Sequence, residues 1–100
     1  MDTIVEYAIA QPRYFEIQLP DSAKILSMKA SDSFPQYDLT VQADLDEPKQ
    51  AWCFCMLSVG DDVPGGAELI AVVDDYFNKN AFLYRVSGRP DFKETVFQIL

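Results

Sequence analysis

The chain has 100 residues, 49% of them apolar, with seven Phe, five Tyr and one Trp, which suits one compact core, is too short for two domains, and excludes the disordered class. Sixteen acids against eight bases give a net charge of −8, which argues against direct nucleic-acid binding because that needs clustered Lys and Arg. Histidine is absent, so imidazole catalysis is excluded by composition and a zinc site would need carboxylates to complete it.

Period-two alternation recurs along the chain and helical periodicity hardly at all. Thr3 to Ile9 supplies a first strand, and Tyr14 to Leu19 a second, with Phe15, Ile17 and Leu19 on one face. Ala23 to Ala30 alternates less cleanly but carries Ile25, Leu26 and Met28, and in the next run Tyr37, Leu39, Val41 and Ala43 share a face. Pro20-Asp21-Ser22, Ser31 to Pro35 and Asp44 to Pro48 supply the intervening turns. Ala51 to Val59 is apolar on both faces, Cys53, Cys55 and Leu57 on one and Trp52, Phe54 and Met56 on the other. Such a run belongs at the centre of a sheet, covered on both sides or with an outer face left for a partner. Glu68 to Val73 and Ala81 to Val86 complete about seven short strands at roughly ten-residue spacing, the pattern of a small antiparallel sandwich or barrel. The fold class expected is all-β in a single domain over residues 1–100, with 88–100 as a C-terminal arm. Within that arm, Pro90-Asp91 can start a short helix, or Thr95 to Leu100 can add an edge strand.

Charge is unevenly spread. Between Asp38 and Asp75 stand nine acids and one base, Lys49, so this segment carries −8, while the residues before it sum to −2 and those after it to +2. Asp61-Asp62, Asp74-Asp75 and Asp44-x-Asp46-Glu47 are paired carboxylates, but none has the alternating oxygen spacing of a calcium loop, so they read as solvated turn residues and no metal is assigned. Cys53 and Cys55 are too close for a useful disulfide ring and read as reduced, buried thiols. Gly60 and Gly65-Gly66 lack the Lys-Ser/Thr of a phosphate loop and read as a hairpin connection. Arg85, Arg89 and Lys93 form the basic cluster, which with Tyr84 or Phe92 as a stacking surface offers a place for a phosphate or nucleotide.

The stretch Phe15-x-Ile17-x-Leu19-Pro20-x-x-Ala23-x-Ile25-Leu26-Ser27-Met28, followed by Gly60-x-x-x-Pro64, Leu69-Ile70 and Phe82-Leu83-Tyr84-Arg85-Val86, resembles a family of short uncharacterised phage and prophage proteins. The resemblance covers about residues 3 to 86. Ser22 stands where the family pattern tends to have Gly, the His of its Gly/Pro loop is missing, and the segment after Val86 is extra. What the resemblance implies is a phage origin and a small β fold, and by analogy an inhibitor of host defence machinery such as a CRISPR effector.

These readings converge on a binding protein rather than an enzyme, with no cofactor. The leading expectation is an acidic surface that occupies the basic nucleic-acid groove of a host complex as a DNA mimic, carried by Asp44, Asp46, Glu47, Asp61, Asp62, Asp74 and Asp75. A second is capture of a signalling nucleotide by Tyr84, Arg85 and Arg89, and a third is a structural or homo-oligomeric virion component that associates through an apolar outer face near Trp52, Phe54 and Met56. No apolar run approaches the ~18 residues of a membrane span, and Met1-Asp2-Thr3 lacks the order of a signal peptide. The expected location is cytoplasmic, in the host cell if the protein is phage-encoded.

Overall fold

Seven strands, each predicted to within two residues at either end, build the protein in the computed structural model, which describes residues 1–76 and 79–89. They are β1 (Thr3–Ile9), β2 (Tyr14–Pro20), β3 (Lys24–Ala30), β4 (Tyr37–Ala43), β5 (Lys49–Ser58), β6 (Glu68–Asp74) and β7 (Asn80–Val86). The two readings of residues 91–100, helix or edge strand, fall outside the described residues.

The strands form a three-stranded sheet in the order β1-β4-β3 and a four-stranded sheet in the order β2-β5-β7-β6, every pair antiparallel. The architecture is an all-β antiparallel sandwich. β4 and β5 sit inside their sheets, as their sequences require. In β4 the alternation is complete, with Tyr37, Leu39, Val41 and Ala43 buried and the residues between them half-buried. In β5, Trp52, Phe54 and Leu57 are all buried, so both faces are covered. The main core lies between the sheets, where Leu19, Leu39, Val41, Phe54, Val73 and Leu83 are fully enclosed. Burying each such side chain contributes about 1.5–3 kcal/mol before conformational entropy is counted.

Period two leaves open which side of β5 faces this core. The structure places Trp52 and Phe54 inward, with Met56 packed against the same core. The expected outer apolar face near Trp52, Phe54 and Met56 is therefore corrected: those residues are used in joining the two sheets. Facing outward are Cys55 and Leu57, buried beneath Tyr14, Cys53, Ala67, Tyr84 and Val86. Cys53 and Cys55 are unbridged, the first half-buried and the second fully buried, and burial pushes the Cys55 thiol above its ordinary pKa.

The edge strands β3 and β6 meet across the gap between the sheets. Each carries a register irregularity, between Ile25 and Ser27 in β3 and between Leu69 and Ala71 in β6. Bulges of this kind twist an edge away from further pairing. At one end of the sandwich, the Tyr76 hydroxyl bonds the carbonyls of Ser31 and Gln36, and its ring meets Phe34 and Tyr37 edge-on at 4.9 and 5.4 Å. This clasp ties the β3–β4 loop, with its cis Phe34–Pro35 bond, to the chain just beyond β6.

In the β5–β6 loop, Gly66 has φ +75° and nothing within 4 Å of where a Cβ would stand, whereas neighbouring Gly65 has the same free space without the positive φ. The difference isolates backbone conformation from sterics. Gly66→Ala should cost about 1–2 kcal/mol, while Gly65→Ala should be neutral or stabilise by about 0.4–1 kcal/mol through the unfolded chain. Urea unfolding of the two variants checks the contrast.

Candidate functional site

The seven expected acidic residues lie in loops at the strand ends, and the topology divides them into two groups. Asp44, Asp46 and Glu47 occupy the turn that leads into β5. Asp61 and Asp62 follow β5 at its other end, and Asp74 and Asp75 join them there, because Asp74 is opposite Asn80 while the next residue, Ala81, is opposite Ser58. The ten residues of β5 separate the groups, roughly 30 Å at ~3.3 Å per residue. Screening at physiological salt has a length of about 8 Å. Each end is therefore an electrostatic surface of its own, and one continuous acidic face is not formed.

Around the first group the structure adds two acids that the linear charge count had set apart. The Met1 α-amino group lies 2.9 Å from Asp44 Oδ2, Gln42 donates to Asp2 at 2.8 Å, and Gln50 donates to Asp21 at 2.7 Å. Ser22 in turn donates to Glu47 at 2.6 Å. Asp2, Asp21, Asp44, Asp46 and Glu47 thus gather where β1 starts, β2 ends and β5 starts. Asp2 and Asp21 were missed because closeness in sequence stood in for closeness in space. The α-amino group, followed by the Asp46 amide, holds the Asp44 carboxyl below the usual aspartate range.

Several of these carboxylates also build their own loops. Asp44 Oδ1 accepts from the Asp46 amide at 3.1 Å, Asp61 Oδ2 from the Ser58 amide at 2.8 Å, and Asp75 Oδ1 from the Lys79 amide at 2.9 Å. Arg13 approaches Asp61 at 3.7 Å. Asp46, Asp62 and Asp74 are exposed. A carboxylate has two oxygens and about four acceptor positions, so supporting a turn leaves it able to meet a partner. Among the described residues, no group of three Cys, Asp or Glu side chains comes together as a metal site.

The expected constellation of Tyr84, Arg85 and Arg89 is divided: Tyr84 and Arg89 both border the outer patch around Tyr14 and Cys55, and Arg85 is turned away from them. Consecutive strand residues point to opposite faces, so Tyr84 packs with Cys55 and Val86 on the outside of the sheet while Arg85 turns inward. The guanidinium of Arg85 lies 3.6 Å from the centre of the Trp52 ring, and that of Arg89 lies 5.5 Å from the Tyr14 ring. Arg85 therefore stacks on Trp52 instead of Tyr84, a partner hidden from sequence reading by the assignment of Trp52 to the wrong face.

On the outer face, Cys53 Sγ is 3.6 Å from Glu16 Oε1. Hydrogen bonding to Cys53, reinforced by burial, pushes the Tyr14 phenol up to about 12. Burial also raises Tyr37 and Tyr76. A raised pKa in the folded state means tighter proton binding than in the unfolded chain, so this contribution to stability is complete below pH ~10 and is lost as pH rises through about 12. An absorbance titration should find these phenols ionising late, with the near-UV circular dichroism falling in the same interval.

No protein-family model matches the chain, and no curated protein or solved structure is significantly similar to it. No helix among the described residues is long and apolar enough to cross a membrane.

Proposed function

We propose that this chain acts by binding, and that an acidic end of the sandwich engages a basic surface on a partner protein. The observation that supports this is the gathering of loop carboxylates at the two ends of a rigid β scaffold in a chain of net charge −8. Each end presents several acids from separate turns, Asp2, Asp21, Asp44, Asp46 and Glu47 at one and Asp61, Asp62, Asp74 and Asp75 at the other. Such a surface steers association with a positively charged groove and weakens as salt rises. The partner class is the nucleic-acid groove of a host defence complex, for which the resemblance to phage proteins is the support. The separation of the ends favours a plug that enters the groove end-on over a mimic of duplex DNA along its length.

The test is competition with a fluorescent DNA duplex for a purified CRISPR effector at about 50 and about 500 mM salt. Displacement at low salt that fades at high salt is expected. Retention of the duplex at saturating protein overturns the defence-complex reading.

A further inference from the structure

The two outer faces of the sandwich differ in chemistry. On the three-stranded sheet, β4 turns Asp38, Thr40 and Gln42 outward, between Glu6 on one side and Lys24 and Lys29 on the other, which makes a face for water. On the four-stranded sheet the register draws a row of side chains across every strand, Tyr14, Cys55, Tyr84 and Leu69. Beside it runs a second row, Leu57, Phe82 and Val72. Neither row holds an acid or a base. Cross-strand neighbours on one face touch, so the two rows form a single apolar surface. Tyr14, Ala67 and Tyr84 close around Cys55 and Leu57, but Leu69 and Val72 stay 52% and 57% exposed. Among the described residues no strand lies over this face, and a contiguous exposed apolar surface marks a place where something docks.

We infer that the occupant is the chain's own C-terminal segment, residues 90–100, laid across these rows as a strap. The described chain ends beside this face, since the Arg89 guanidinium lies 5.5 Å from the centre of the Tyr14 ring, the first member of the longer row. Eleven residues follow it. Four strands measure roughly 14 Å across at ~4.8 Å spacing, and eleven residues reach about 16 Å even if helical, so the length suffices. Phe92, Val96 and Ile99 recur at the four- and three-residue spacing of one helix face, and Lys93, Glu94 and Gln98 fall outside that stripe. A second copy is the weaker occupant. The tether gives the segment an effective concentration in the millimolar range, whereas two chains of net charge −8 repel each other. The strap uses none of the carboxylates at the acidic ends, so it stands or falls apart from the proposed partner binding.

Nuclear Overhauser contacts in the full chain test this directly. The methyl groups of Val96 and Ile99 should show contacts to the Phe82 and Tyr84 rings and to the Leu69 and Val72 methyls, all within one molecule. A mixture of differently labelled chains separates the occupants: contacts confined to pairs of unlike-labelled chains assign the face to a second copy and overturn the inference, as does the absence of any contact. The double variant Val96→Asp with Ile99→Asp gives an independent readout in the full chain. It should retain native circular dichroism, release the strap and raise the fluorescence of Nile red, an uncharged dye for apolar surface, by at least about threefold. Dye fluorescence equal to that of the parent in the folded double variant also overturns the inference.

Discussion

Phe54→Ala should lower the free energy of unfolding by about 3–5 kcal/mol, the range for removing a large aromatic side chain from a core. Phe54 is fully buried between the sheets. Its ring stacks on Phe15 across the strand pair, with centroids 5.0 Å apart and planes inclined by 20°, and lies 6.1 Å from the Trp52 ring. Truncation thus removes the transfer free energy of the ring, leaves a void in the middle of the sandwich, and strips Phe15 of its partner. A domain of this size has about 5–15 kcal/mol in total, so the change takes a large share. The melting temperature should fall by on the order of 10–30 °C. Val59→Ala, at a position 86% exposed, serves as a control and should stay within about 0.5 kcal/mol. Denaturant unfolding of both variants is the measurement, and a loss below about 1.5 kcal/mol for Phe54→Ala would contradict the placement of Phe54 at the centre of the core.

The second large effect concerns the acidic ends. Two variants remove four charges each: Asp21→Asn, Asp44→Asn, Asp46→Asn and Glu47→Gln at one end, and Asp61→Asn, Asp62→Asn, Asp74→Asn and Asp75→Asn at the other. Asparagine retains an acceptor oxygen, so the turn hydrogen bonds from the Asp46, Ser58 and Lys79 amides can persist and both proteins should melt within a few degrees of the parent. Binding should respond asymmetrically. With roughly 30 Å between the ends and a screening length of about 8 Å, only the end inserted into the basic groove contributes close pairs. Its variant should bind on the order of 10- to 100-fold more weakly and show a flatter salt dependence, while the other changes mainly the association rate. Because each variant removes the same charge, equal loss from both would assign the effect to net charge alone and remove the case for a located site.

How much of this was legible beforehand can be followed through particular residues. β4 alternates strictly, and its pattern alone determined that Tyr37, Leu39, Val41 and Ala43 would face the core. Pro and Asp/Ser-rich turns delimited the strands, because these residues act on backbone geometry through contacts a few positions away. About seven strands, antiparallel pairing and a central β5 all follow from such local information, which leaves sandwich and barrel equally open until the strands divide into two sheets.

What only the tertiary structure decided depends on which strands become neighbours. β5 is apolar on both faces, so its sequence is equally compatible with either side facing inward; pairing with β2 and β7, and the cover supplied by the opposite sheet, place Trp52 and Phe54 in the main core. That choice puts Trp52 within reach of Arg85, and the meeting of β3 with β6 then leaves an open groove lined by both residues and by Glu68. The acidic residues show the same division. Their number and their loop positions can be counted along the chain, but Asp21 and Asp44 come together because β2 ends where β5 begins, and Asp44 and Asp61 are kept apart by the length of β5. Residue type and period are local properties that the chain carries unaided, whereas convergence of side chains is a property of strand order, which arises only when the sheets assemble.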